Sequence, residues 1–195
     1  VYIPYNKEYS NYRFESRLIK DYPNINFKFF KLNNNTRGAA ETINISLKKL
    51  NDLEDMPMLL LDGDNFYTCD VIKMWNGENK VFCFSDTNEA SIYSYLDVKD
   101  NKILDIVEKQ KISDYACSGA YGFESYKEFL KYSQYIIDNN VKQNNEFYSS
   151  GVIKEMINQS KLFKPCLINQ NDFTCLGTPF QLKLFYNNLP KISCI

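Results

Sequence analysis

Residues 58–75 read MLLLDGDNFYTCDVIKMW. Pro57–Gly63 forms a short, continuous apolar run, the pattern of a strand buried on both faces of a parallel sheet. A short helix is expected to follow, ending near Trp75. Two carboxylates, Asp62 and Asp64, stand at the junction. In an open α/β sheet, ligands bind beyond the carboxyl ends of the strands. A carboxylate there suits a hard cation such as Mg²⁺, which takes oxygen ligands and bridges to phosphates. The i, i+2 spacing puts both carboxylates on one side of an extended chain, and Gly63 permits a turn between them. Capping of the next helix is the alternative role for both.

Working outward, apolar runs alternate with helical patterns. VYIPY reads as a strand end, Tyr9–Lys20 as a helix and Ile25–Leu32 as a strand. Asn33–Thr36 is a turn or cap cluster, and a helix runs from it to Leu50. The middle is strand-rich: Lys80–Ser85, Ser91–Val98, Lys102–Lys109 and Tyr115–Phe123, broken by turns such as KDNK. Helices are expected over Glu124–Asn139 and Glu146–Ser160. Two further strands, in KLFKPCLI and DFTCL, precede a helix that begins after Thr178-Pro179, where proline suits the first turn. The pattern is α/β, with a mixed sheet and no repeat or linker.

The 195 residues fit one domain, 1–195, and 44% hydrophobic residues suffice for a core. A net charge of -1 offers no basis for binding nucleic acid or an acidic membrane surface. No apolar run approaches the roughly 18 residues that span a bilayer, and no signal peptide is evident. The six cysteines, Cys69, Cys83, Cys117, Cys166, Cys175 and Cys194, form no C-x-x-C pair and match no zinc spacing. They read as buried, reduced thiols of a cytoplasmic protein. With no histidine in the chain, Ser-His-Asp and Cys-His catalysis and histidine metal sites are excluded. Acid–base or metal chemistry must rest on carboxylates, lysine, tyrosine or the substrate.

Five stretches, in order along the chain, resemble the sugar-1-phosphate nucleotidyltransferases, the pyrophosphorylases that make nucleotide sugars. LLLDGDNFY (Leu59–Tyr67) is similar to the family's GDN-x-[FY] strand end. NTRGAAETI (Asn35–Ile43) resembles the glycine-led segment that opens a helix near the nucleotide base. DIVEKQKISDYACSGAYGF (Asp105–Phe123) resembles V-x-E-K-P followed by G-x-Y-x-F. NNEFYSSGVIKEMI (Asn144–Ile157) is similar to the N-x-E-F-Y helix start, and CLGTPFQLKLF (Cys175–Phe185) to L-G-T-P-x-x-L. The resemblance implies a Rossmann-like three-layer α/β sandwich with a mixed, mainly parallel central sheet. It also implies nucleotidyl transfer from a nucleoside triphosphate to a phosphorylated sugar or small phospho-alcohol or amine, with pyrophosphate released, for surface-polysaccharide precursors.

By that resemblance Asp64 is the Mg²⁺ ligand and catalytic, with Asp62 a second or water-mediated partner. Thr36, Arg37, Gly38 and Ala39 lie at the nucleotide, where Gly38 lets the base or ribose approach closely. Arg37 faces a phosphate or is a solvated helix-start arginine. Glu108 accepts hydrogen bonds from the acceptor, and Lys109, also catalytic, holds its phosphate as a point charge. The rival reading of that pair is an edge-strand salt bridge. Gly119 lies under the acceptor, Tyr121 is its wall or plain core, and Glu146 is an acceptor-side carboxylate or a helix cap.

The sequence departs from the family pattern at three places. Gln110 replaces the usual proline, and Cys175 stands where many members carry a second metal-binding aspartate. The glycine-rich loop that cradles a triphosphate is not found before VYIPY, so the N-terminal strand and loop are expected to be missing from this stretch of sequence. Two alternatives stay open: a glycosyltransferase in which Asp62-Gly63-Asp64 holds the metal of a nucleotide sugar, and a non-catalytic relative acting as a binding module. A homo-oligomer is also open.

Overall fold

The nine residues YACSGAYGF form the strand on which the fold is assembled. The computed structural model describes residues 1–50 and 53–189. In chain order its strands are β1 (Tyr2–Asn6), β2 (Lys28–Leu32), β3 (Met58–Leu61), β4 (Asn65–Tyr67), β5 (Lys80–Ser85), β6 (Ser94–Lys99), β7 (Lys102–Glu108), β8 (Tyr115–Phe123), β9 (Lys164–Leu167) and β10 (Phe173–Cys175). Its helices are α1 (Phe14–Asp21), α2 (Ala39–Leu47), α3 (Val71–Met74), α4 (Tyr126–Asp138), α5 (Ser149–Asn158) and α6 (Pro179–Asn188).

The central sheet runs β7-β6-β8-β5-β9, with β3 on β8 as well. β8 carries β5 along one edge. Its other edge is split: β3 pairs with Ala120–Phe123, and β6 joins at Ala116. Between them, among the described residues, no strand pairs with Cys117–Gly119 on that edge. This gap becomes the floor of the site.

Both faces of the sheet are covered, which explains the uninterrupted apolar runs. Along β5, Val81 and Cys83 point to one core while Phe82 and Phe84 point to the other, and all four are buried. The first core is closed by α2, α4 and α5, through Ile43, Phe129, Ile136, Val152 and Met156. The second is closed by α3 and the β4–β10 ribbon, through Val71 and Phe173.

The mixed, three-layer arrangement agrees with the expectation from sequence. The parallel share of the sheet is smaller than expected. Among the described strands, β1·β2 and β5·β9 are parallel and the other ladders antiparallel. A short connection imposes this only between β6 and β7. Asp100 and Asn101, at φ 50° and 59°, close a tight β6–β7 hairpin of the kind that matches strand twist.

Two local expectations also change. The segment after Gly63 forms the short strand β4 before α3, which is only four residues long. Residues 7–12 form a 3-10 turn ahead of α1. Of the cysteines, Cys83 and Cys117 are buried, whereas Cys69, Cys166 and Cys175 are only partly so; all five are free thiols. Cys194 lies outside the described residues. Among the described residues no helix is long and apolar enough to cross a membrane.

Candidate active site

The split edge of β8 opens into a cavity of about 180 Å³. Its lining includes Ala39 at the start of α2, Asp62 and Asp64 after β3, Glu108 at the end of β7, Ser118 and Gly119 of β8, and Ser149 and Ser150 at the start of α5. Strand ends and helix starts thus converge on one point, where backbone groups are available and chain direction changes.

Asp62 continues the β3–β8 ladder, its N–H donating to the Gly119 carbonyl at 2.9 Å. Gly119 has φ 78°, and a Cβ there would lie 2.2 Å from Asn65 Nδ2 and 2.5 Å from Asp62 Oδ2. Glycine is therefore required both by the backbone and by the side chains stacked on it. Burial, then the charges of Asp64 and Glu108, push the Asp62 carboxyl up to about 7. Asp64 is pinned from the other side. Its carbonyl accepts from Leu176 N–H at 2.7 Å, and Gly177 leaves room for its carboxylate, since a Cβ there would sit 2.6 Å from Oδ2. The L-G-T-P turn is thus the support of Asp64. Thr178 caps α6 by accepting from Gln181 N–H.

Glu108 accepts from the hydroxyls of Ser94 and, at 2.9 Å, Ser150. Among the described residues it makes no ion pair. The edge salt bridge considered for Glu108 and Lys109 does not form: Lys109 Nζ donates to Tyr148 Oη at 3.0 Å. That hydrogen bond is the main cause holding the lysine above its ordinary value. Tyr148 lines the cavity, so Lys109 reaches its rim through that ring.

The other sequence-predicted residues are placed differently. Arg37 is tied to Glu41 by an ion pair of 2.5 Å and packs over the Phe147 ring. The Thr36 hydroxyl is 2.6 Å from that of Thr42, and both residues line a second, open cavity beside β1 and β2. Gly38, at φ 141°, faces the Phe147 backbone, where a Cβ would come within 2.5 Å of the carbonyl oxygen. Its immediate use is to seat the start of α2 against the segment leading into α5. Tyr121 is buried and also borders the cavity. Glu146 is exposed in the turn paired with Gln143, outside the cavity lining.

Sequence reasoning passed over Tyr93, Ser94, Phe173 and the Ser149-Ser150 pair as site residues. The serines had a signal, as small hydroxyl residues at a helix start. Tyr93 and Phe173 had none, because aromatics in strand-like runs read as core.

The architecture defines a class: a Rossmann-like sandwich with carboxylates just after β3, which pairs with β8, and a cavity beside them. No family model matches the sequence, and no curated protein matches it. Solved structures do match the fold. A nucleoside-diphosphate-sugar pyrophosphorylase from Vibrio cholerae aligns with TM-score 0.81 over 95% of this chain and 80% of its own, at 18% identity. The inositol-1-phosphate CTP transferase from T. maritima aligns with TM-score 0.71 over 94% and 73%, at 13% identity. A Bacillus anthracis protein assigned as a glucose-1-phosphate thymidylyltransferase, solved with a sucrose, gives 0.66 over 94% and 73%, at 18% identity. The chain has the fold of the sugar-phosphate nucleotidyltransferases.

Proposed function

We propose that this chain transfers a nucleotidyl group from a nucleoside triphosphate to a small phosphorylated acceptor, releasing pyrophosphate. The observation that carries the reading is the meeting of Asp62, Asp64 and Glu108 with the starts of α2 and α5 in one cavity, on a fold shared with nucleotidyltransferases. An acceptor phosphate oxygen attacks the α-phosphorus. The bond from that phosphorus to the bridging oxygen breaks, and pyrophosphate leaves with the electron pair. The attacking phosphate is already ionised, so no base is needed and the absence of histidine is no obstacle. Such transfer depends on alignment and charge neutralisation.

Mg²⁺ fits the donor set. Among the described residues no three His, Cys, Asp or Glu side chains are grouped to hold a metal by themselves. Mg²⁺ commonly uses one or two carboxylates and completes its shell with water and substrate phosphates, and Asp64 with Asp62 supplies that number. When bound there, the ion would neutralise the triphosphate charge. The chain's own glycines, Gly119 and Gly177, leave room for the Asp62 and Asp64 carboxylates, and Glu108 and Tyr148 orient the acceptor. We assign Lys109 to the acceptor phosphate, Ala39 and Gly38 to the nucleotide side, and the reaction to the cytoplasm, in surface-polysaccharide precursor synthesis.

The test is a pyrophosphate-release assay on the full natural chain, with four nucleoside triphosphates, Mg²⁺ and a panel of phosphorylated acceptors. Turnover that disappears in Asp64→Asn supports the reading; absence of any triphosphate binding by titration overturns it. One observation favours a second reading: both carboxylates of Asp62-Gly63-Asp64 line the same cavity, as a metal-dependent glycosyltransferase would require. That enzyme would consume a nucleotide sugar and release no pyrophosphate.

A further inference from the structure

One wall of the cavity is not a regular element. It is the connection from β5 to β6, residues 86–93, and Ile92 and Tyr93 at its far end line the cavity. A connection with no ladder of its own is ordinarily the mobile part of a fold. This one is tied along its length. Asp86 N–H donates to the Asp114 carbonyl at 2.8 Å, and the Tyr93 carbonyl accepts from Lys109 N–H at 2.9 Å. Between those points the buried Asp86 carboxylate holds Asn88 through its backbone and side chain, and Tyr95 Oη donates to the Ala90 carbonyl at 3.3 Å.

A further tie comes from outside the connection. Lys111 lies between β7 and β8, and its Nζ donates to the carbonyls of Asp86, at 2.8 Å, and Asn88, at 2.7 Å. It also pairs with Asp114 at 3.2 Å, but that carboxylate is 67% exposed, and an ion pair so open to water contributes little. A surface lysine ordinarily extends its ammonium into solvent. Here the Lys111 side chain is only 22% exposed, and its donors meet backbone oxygens of a separate segment. Hydrogen bonds from a charged donor are the strong ones. Lys111 thus fastens the connection that carries Ile92 and Tyr93 to the connection that leaves β7, without lining the cavity itself.

We propose that Lys111 is a positioning residue for the transfer: it presets Ile92 and Tyr93 as a formed wall, so that the acceptor enters a finished cavity. The inference rests on the nucleotidyltransferase reading and adds to it a residue that touches no reacting group. Its effect falls on acceptor affinity, because a wall ordered only on binding lowers affinity by the fraction of time it is unformed.

Two measurements on the full natural chain test this. Amide hydrogen exchange reads the fastening without any substrate. In Lys111→Met, which keeps the stem and removes the donors, the Asp86 and Asn88 amides should exchange at least about tenfold faster, the scale of one hydrogen bond to a charged group, while those of α4 stay unchanged. Steady-state kinetics then uses the triphosphate and the phosphorylated acceptor that turn over fastest in the pyrophosphate-release panel. The acceptor KM should rise about tenfold while kcat and the triphosphate KM stay within about twofold, the mark of lost preorganisation toward one substrate. Lys111→Arg, whose guanidinium fork presents several donors, should recover most of the acceptor affinity. Lys111→Gln, with a shorter neutral donor, should fall between and covers the case in which Lys111→Met fails to fold. Asp114→Asn should stay within about twofold in every parameter. Unchanged exchange in Lys111→Met, equal loss toward both substrates, or the same loss in Asp114→Asn overturns the inference and leaves nucleotidyl transfer standing. An unaltered chain that binds no nucleoside triphosphate overturns that reading and the acceptor role with it, while the exchange result still decides the fastening.

Discussion

Asp64 and Gly119 show how single positions govern this site. Asp64 occupies the turn after β3 and is backed by the Gly177 turn, so its carboxylate cannot be replaced from a neighbouring element. Asp64→Asn keeps the shape and removes the charge. The expected outcome is a fall in turnover of ~100-fold or more, the scale of losing a preorganised electrostatic group, with thermal stability little changed; steady-state kinetics beside a melting curve checks both. Gly119→Ala does the opposite. It forces a side chain into φ 78° and onto Asn65 and Asp62. A cost of roughly 1–3 kcal/mol is expected from the backbone alone, read by denaturant unfolding, together with weaker acceptor binding. Asp62 and Asp64 stood out in the sequence at a strand end, with helix capping as the alternative, and Glu108 through the family resemblance; the structure brings all three to one cavity. Tyr93 and Phe173 did not stand out as cavity-lining residues, because what lines the cavity depends on which strand edge is left open, and periodicity does not report edges.

At the scale of elements, the connection from β5 to β6 shapes one side of the cavity, and Asp86 holds it. Asp86 is 1% exposed. Its carboxylate accepts from Tyr95 Oη at 2.8 Å and from the backbone and side chain of Asn88. Burial alone would raise its pKa, but these hydrogen bonds outweigh it and hold the group below the usual carboxylate range. A depressed folded-state value means stability that is full above the unfolded value, about 3.9, and drains as pH falls through the folded value. Chemical denaturation at a series of pH values should therefore show a slope below pH ~4 that is shallower in Asp86→Asn. At neutral pH that variant should be less stable by about 1.5–3 kcal/mol, the range for hydrogen bonds to a charged group. Element identity was largely readable, since β5 and β8 match their expected limits and Thr178-Pro179 starts α6 as its cap chemistry dictates. The pairing directions were not readable. They follow from β8 passing between strands far apart in sequence, and the β4 strand depends on a partner, β10, more than a hundred residues away.

Across the whole molecule, the two cores and the cavity form one linked object. The lining of the cavity runs from Ala39 to Cys175, so a ligand there would touch α2, the turn after β3, β7, β8, α5 and β10 together. The same breadth means that core damage reaches the site. Phe129 is fully buried and meets Phe123 edge-on at 4.8 Å. Phe129→Ala should cost about 3–5 kcal/mol against a total of roughly 5–15, enough to lower soluble yield and blur the site without touching it. The converse is the sharper test of linkage. A ligand that binds only the folded chain stabilises it by about 2.7 kcal/mol at a hundred times its dissociation constant. For a protein of this size that corresponds to a melting-temperature rise of roughly 5–10 °C. Nucleoside triphosphate with Mg²⁺ should produce such a shift in the natural chain, and Asp64→Asn should lose most of it while keeping its unliganded melting temperature. Were the variant to melt lower without ligand and yet shift as far with it, Asp64 would be a support of the β3 turn and not the group that meets the nucleotide.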